Sequence, residues 1–133
     1  MHLTDLLANQ PSLTVISGAA DKTVKQVTSD SRAVQADGLF FALKGHQTDG
    51  HNYIKEAIAN GATVIVTDGR TVKTADHVCV LVSAQSKADY ASLCSKIYPN
   101  RPEILTAVTG TNGKTSVCEY LRQIWSKATW PSA

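Results

Sequence analysis

The sequence predicts an α/β fold in two unequal parts. A small α/β domain covers residues 1–100, and residues 101–133 carry the opening strand, glycine loop and helix of a second domain. Three observations lead there. Short apolar runs bounded by glycine alternate with stretches at helical spacing, the pattern of strands and helices packed in layers. Asn100-Arg101-Pro102 breaks the last helical stretch of the first part and opens a linker. Beyond it, an apolar run passes through Gly-x-x-Gly-Lys-Thr into another amphipathic stretch.

Leu3, Leu6 and Leu7 fall at helical spacing in a short helix over 2–9. Val24 and Val27 mark a strand over 24–29, followed by the polar turn Asp30-Ser31-Arg32. The run 38–43, Gly-Leu-Phe-Phe-Ala-Leu, is too short for a helix and reads as a buried strand. A loop spans 46–50, and Tyr53, Ile54, Ala57 and Ile58 then form one stripe of a helix that Asn60-Gly61 stops. Residues 63–67 are β-branched throughout and make a buried strand closed by Asp68-Gly69; a further strand spans 78–82. Ser86 is the expected N-cap of a helix reaching Tyr98, with Ala88, Ala91, Leu93, Cys94 and Ile97 on or near its inner face. This order gives a mixed or parallel sheet with helices on it.

In the second part, 104–108 is expected to be a buried strand, 109–113 a loop, and 114–127 a helix with Val117, Leu121, Ile124, Trp125 and Ala128 on its apolar face. One strand and one helix bury such a face only against a larger sheet, so the chain is expected to be truncated.

Composition narrows the function classes. Thirteen Lys and Arg against eleven Asp and Glu leave a net charge of +2, too weak and too scattered for a nucleic-acid surface. Cys79, Cys94 and Cys118 form no C-x-x-C pair and, being odd in number, no disulfide framework; they read as free thiols of a reducing compartment. No basic leader precedes an apolar core at Met1-His2-Leu3-Thr4-Asp5, and no apolar run nears the roughly 20 residues of a membrane span. A cytoplasmic protein without membrane insertion is expected.

Gly110-Thr111-Asn112-Gly113-Lys114-Thr115-Ser116 is the chemically most telling segment. Two glycines let successive N–H groups turn inward onto phosphate oxygens, and the helix that follows adds its N-terminal donors and partial charge. Lys114 supplies charge to the β- and γ-phosphates of ATP, and the Thr115 hydroxyl is placed to ligate Mg²⁺. The strict G-x-x-x-x-G-K-[ST] form is not met, since Val108 stands where its first glycine would be. The competing interpretation is a glycine turn with Lys114 merely solvated; a strand before and a helix after favour the phosphate loop.

Thr109-Gly110-Thr111-Asn112-Gly113-Lys114-Thr115 resembles the ATP loop of the Mur ligase superfamily. Upstream, Asp30-Ser31-Arg32, the run 38–45, Asp49-Gly50-His51 and the segment 57–62 are similar to the N-terminal UDP-binding domain of two of its branches. One adds the third amino acid, diaminopimelate or lysine, to UDP-N-acetylmuramoyl-L-Ala-D-Glu; the other adds D-Ala-D-Ala. The segment 45–50 and the run 111–117 leading into Arg122-Gln123-Ile124-Trp125 are more similar to the third-residue branch. A non-catalytic UDP-sugar-binding module is the alternative from another class.

The resemblance implies an ATP- and Mg²⁺-dependent amide-bond ligase of peptidoglycan synthesis, working through an acyl phosphate. Gly110 to Ser116 would hold ATP, with Lys114 as the catalytic cation and Thr115 on the metal. Ser29 and Ser31 would contact the UDP-sugar dipeptide, and His46, Gln47 and Thr48 would line its uracil and ribose site. Alternatives stay open: Ser31 as a turn cap, Asp30-Ser31-Arg32 as an internal polar network, Arg32 paired with either a phosphate or Asp30, and His46 as an ordinary loop histidine. The pocket for the amino-acid co-substrate is expected outside this chain, which by itself would be inactive. The parent is expected to be monomeric, and helix 114–127 to be mobile, packed on the first domain, or associated with a neighbouring molecule.

Overall fold

Strands β1 (Leu13–Ser17), β2 (Gln26–Thr28), β3 (Gly38–Phe41), β4 (Ala62–Thr67) and β5 (Cys79–Ser83) form one sheet in the order β1-β5-β4-β3-β2. The strands β2, β3, β4 and β5 run parallel to their neighbours, and β1 closes one edge antiparallel to β5. The structure is a computed structural model and describes residues 1–45, 48–100 and 104–128. It divides into two units, Met1–Pro99 and Asn100–Ala133.

The parallel strands are apolar on both sides because both faces of the sheet are covered. Leu39, Phe41, Val64, Val66, Cys79 and Leu81 face one core, with Leu3 and Leu6 of helix α1 (Leu3–Leu7) and Leu93 of α3 (Ser86–Ile97). Phe40, Ala42 and Ile65 alternate onto the other core, where they meet Ile54 and Ala57 of α2 (Ile54–Ala59). The period of two along β3 and β4 thus sorts one continuous apolar run into two cores. Phe41 and Tyr90 pack edge to face, with ring centroids 5.3 Å apart.

A buried carboxylate ties the antiparallel edge to the rest. Asp89 of α3 is 4% exposed and accepts hydrogen bonds from the hydroxyls of Ser12, just before β1, and Ser83 at the end of β5, both 2.5 Å. Lys96, about two turns further along the same face of α3, donates to the carbonyls of Leu6 and Ala8 and so holds the end of α1.

Several expectations are corrected. β1 is a strand that the sequence pattern does not announce: only Leu13 of its five residues is buried, and its backbone is satisfied by pairing with β5, a non-local partner. Ser86 is the first residue of α3 and does not cap it; the Gln85 N–H is instead received by the Ser83 hydroxyl. Ala88 and Ala91 face solvent, and the inner face of α3 carries Asp89 and Leu93, because the helix docks through its hydrogen-bonded carboxylate. Tyr53 is exposed and belongs to a 3-10 turn, Gly50–Tyr53, that precedes α2.

In the second unit, residues 104–109 form no strand, and Ile104 and Leu105 are 60% and 81% exposed. A strand exists through hydrogen bonds to a neighbour, and none pairs with this run among the described residues. Helix α4 (Lys114–Lys127) has the expected span. Glu119 accepts hydrogen bonds from Arg122 and Gln123, which hold its carboxyl down to about 2.

Replacing Asp89 leaves two inward-facing serine hydroxyls without their acceptor. Asp89→Ala is expected to lower the stability of the first unit by about 3 kcal/mol. Urea unfolding followed by circular dichroism tests this, and an unchanged midpoint would refute the role given to Asp89.

Candidate functional site

In an open parallel sheet, binding crevices form beyond the carboxyl ends of the strands, where successive loops diverge. Here the loops leaving β2 and β3 enclose a cleft of about 510 Å³ lined by Ser29, Asp30, Ser31, Arg32, Leu43, Gly45, Thr48, Gly50, Tyr53 and Glu56. Ser29, Ser31 and Thr48 are therefore brought together from segments up to nineteen positions apart. His46 and Gln47 lie outside the described residues.

Both cleft walls are built by the same local device. Asp30 and Asp49 have extended backbones, with φ, ψ of −102°, 114° and −103°, 116°, and each accepts a hydrogen bond from the N–H two residues on. Each then starts a 3-10 turn, Ser31–Ala33 and Gly50–Tyr53. This is the Asx turn, in which a short carboxylate stands in for the backbone carbonyl of the preceding residue.

On the first wall Ser31 is 6% exposed, and its hydroxyl donates to Glu56 Oε2 at 2.5 Å. Its proton is thus committed inside the protein, and the lone pairs of Oγ remain for a donor from the cleft. The Ser31 carbonyl accepts from Asn60 Nδ2 at the end of α2. Arg32 pairs with Asp30 through Nε at 3.0 Å and Nη2 at 2.8 Å, and this fork holds the Asp30 carboxyl below the usual carboxylate range. Ser29 sits by the Tyr90 hydroxyl, which burial pushes up and the hydrogen bond with Ser29 pulls back.

The second wall is the β3–α2 loop. Its base closes by Gly45 N–H donating to the Thr48 carbonyl and Gly50 N–H to the Leu43 carbonyl, both at 2.9 Å. Gly50 is required by space: a Cβ there would lie 2.7 Å from Leu43 O and 2.8 Å from Leu43 N. Around Asp49 the hydrogen bonds multiply. Its Oδ1 meets His51 Nδ1 at 2.7 Å, and its Oδ2 accepts from Arg70 Nη1 at 2.6 Å. Arg70 also grips Asp68, from Nε at 2.9 Å and Nη2 at 2.8 Å. His51 Nε2 is buried 3.2 Å from Asp68 Oδ1 without completing a hydrogen bond. Arg70, and after it the two His51 donors, hold the Asp49 carboxyl far below its ordinary value.

The glycine loop lies in the second unit. Gly113 takes φ +78°, a left-handed conformation that glycine adopts without strain, and caps α4. Lys114 Nζ donates to the Gly110 carbonyl at 2.5 Å, folded back onto its own loop. Thr115 and Ser116 are exposed in the first turn of α4, beside N–H groups that have no helical acceptor. No group of three or more His, Cys, Asp or Glu that could hold a metal ion occurs among the described residues, and the Thr115 hydroxyl is an exposed oxygen of the kind Mg²⁺ takes together with phosphate oxygens.

Asp30, Tyr53 and Glu56 were missed as cleft residues by sequence reasoning. Glu56 occupies the polar side of a helix whose apolar stripe drew attention first; its spacing from Ser31 gives no local signal. Asp68 and Arg70 had one, an acidic turn at the carboxyl end of a parallel strand.

Residues 23–109 match the model described as Mur ligase family, catalytic domain. Curated relatives named UDP-N-acetylmuramoyl-L-alanyl-D-glutamate--2,6-diaminopimelate ligase include one from Brucella melitensis, 40% identical over 115 residues (86% of this chain, 24% of the relative). One from Bradyrhizobium diazoefficiens is 38% identical over 133 residues (100% of this chain, 27% of the relative). The chain spans about a quarter of the length of these relatives. Among solved structures, MurF ligase from Thermotoga maritima in complex with ADP superposes with a TM-score of 0.58 at 29% identity, over 78% of this chain and 24% of that one. A UDP-N-acetylmuramoyl-L-alanyl-D-glutamate--2,6-diaminopimelate ligase superposes with a TM-score of 0.65, over 97% of this chain and 26% of that one; at 20% identity it speaks for the fold alone.

The sign of the Asp49 effect fixes a pH dependence. Its folded pKa lies below the unfolded value of about 3.9, so its contribution is present above about pH 4 and fades as pH falls towards the folded value. Carboxyl-carbon NMR is expected to show Asp49 still ionised at pH 3, with the midpoint returning towards the ordinary range in Arg70→Met. An Asp49 midpoint that Arg70→Met leaves in place would contradict the assignment.

Proposed function

The chain belongs to the Mur ligase family, and from that we propose that it carries the uridine-nucleotide site and the ATP loop of a ligase that adds the third amino acid to UDP-N-acetylmuramoyl-L-Ala-D-Glu. The observation that carries the reading is the polar cleft at the carboxyl ends of β2 and β3, where Ser29, Ser31 and Thr48 converge. Relatives at 38–40% identity bear the name of the diaminopimelate-adding enzyme, which supports that branch and that amino acid over lysine. A structural likeness at 30% identity to a UDP-N-acetylmuramoylalanyl-D-glutamyl-2,6-diaminopimelate--D-alanyl-D-alanyl ligase from Acinetobacter baumannii keeps the dipeptide-adding branch as the second reading. The peptide length accepted by the parent separates the two.

On this reading residues 1–100 hold the UDP-sugar dipeptide and residues 101–133 begin the ATP domain. Ser31 accepts from a ligand N–H or hydroxyl, since Glu56 takes its proton. The γ-phosphoryl group passes to the D-Glu carboxylate with release of ADP; the incoming amine then attacks the acyl carbon and phosphate leaves. Carboxylate and triphosphate are both anions, so the residues at the loop have to neutralise charge while holding the groups in line. Lys114 does so by swinging from the Gly110 carbonyl onto phosphate oxygens, which the first N–H groups of α4 meet in place. Mg²⁺, held by Thr115 and the phosphates, supplies further charge neutralisation when bound. No helix among the described residues is long and apolar enough to cross a membrane; two nucleotide substrates, ATP and the UDP-sugar dipeptide, support a cytoplasmic setting.

In the full-length parent, Lys114→Met is expected to reduce kcat by about 10²–10³ while leaving UDP affinity intact. A variant retaining normal turnover would remove Lys114 from the reaction. The 133-residue chain alone is expected to bind UDP in a calorimetric titration, about tenfold more weakly as Ser31→Ala, and to form no tripeptide from ATP, UDP-muramoyl dipeptide and diaminopimelate. Tripeptide formed by this chain alone would contradict the division of labour proposed here.

A further inference from the structure

We propose that Arg70 is a positioning residue for the cleft, acting through Asp49 on the β3–α2 loop; this rests on the uridine-nucleotide reading given above. Arg70 lies outside the cleft lining, at the carboxyl end of β4, whereas Gly45, Thr48 and Gly50 form the cleft's second wall. What joins them is one guanidinium. Two of its nitrogens grip Asp68 on its own strand end, and the third reaches Asp49 at 2.6 Å, 21 residues earlier in the chain.

Three features make this a device for placement rather than for global stability. First, the ion pairs are partly exposed: Arg70, Asp68 and Asp49 side chains are 44%, 34% and 28% accessible, a setting in which such pairs add little to folding. Second, Asp49 is anchored at both ends. It pairs with Lys44 across the base of the loop and caps the turn leading into α2, so fixing its carboxylate fixes the backbone on either side of Thr48. Third, His51 is wedged between the two carboxylates that Arg70 bridges, with Nε2 buried beside Asp68. The loop gains a rigid reference on β4, the central strand of the sheet, which neither its own short turn nor α2 provides. Only a planar, three-pronged cation spans both acids at once; a lysine ammonium satisfies one and leaves the other.

The test uses the 133-residue chain and two independent readouts. In Arg70→Met, amide hydrogen exchange at Gly45 and Gly50 is expected to accelerate at least tenfold, with β3 and β4 amides and the urea midpoint little changed. The dissociation constant for UDP is expected to rise about tenfold, with Arg70→Lys recovering only part of the loss. Unchanged exchange at Gly45 and Gly50 would refute the clamp. Faster exchange with an unchanged UDP constant would refute the positioning role. Failure of the unsubstituted chain to bind UDP would refute the uridine-nucleotide reading and the role in binding, while the exchange measurement still decides whether the clamp exists.

Discussion

Parallel strands need cover on both faces, and the layout of the first unit follows from that requirement. Leu39 and Phe41 turn to one core while Phe40 and Ala42 turn to the other, so helices or long loops have to return on both sides of the sheet. Each return begins at the carboxyl end of a strand, and the polar turns that start the returns after β2 and β3 become the two walls of the cleft. The cleft is thus a by-product of how the apolar residues are buried. Its chemistry is set by what the turns need in order to form: Asp30 and Asp49 cap them, and Ser31 and Thr48 ride on them.

The edge of the sheet poses a different problem and receives a polar solution. β1 has little to bury beyond Leu13, so its attachment rests on the pairing with β5 and on Asp89, which joins Ser12 to Ser83 beneath α3. Charge-assisted hydrogen bonds of this kind are directional where apolar contacts are not, and they fix the rotation of α3 about its axis. That is why Asp89 faces inward while Ala88 and Ala91 face water.

Much of this was legible in the sequence, and the part that was not has a common cause. β3, β4 and β5 announce themselves because burial on both faces leaves a continuous apolar run, and the span of α4 was readable from its glycine start and helical period. β1, the inward Asp89 and the Glu56–Ser31 contact each depend on a partner far away in sequence, which local pattern cannot register. The run at 104–108 is the converse case: its composition suits a strand, but strand structure belongs to a pair of chain segments and not to one. At the cleft, the serines and Thr48 were found through resemblance, whereas Arg70 makes its point only once β4 has brought it beside Asp49.

Lys114, resting on the Gly110 carbonyl, has a consequence for affinity. With one of its three donors held by that carbonyl, the ammonium lies against its own loop, and an anion that draws it away gives up an internal partner as it gains a new one. A charge-assisted hydrogen bond in so exposed a place is worth on the order of 1 kcal/mol, enough to weaken capture several-fold. On the proposed ATP reading, the discount applies equally to every phosphate, so it would raise the threshold for occupancy without altering which nucleotide is preferred, and selectivity would have to come from groups that meet the base and the sugar.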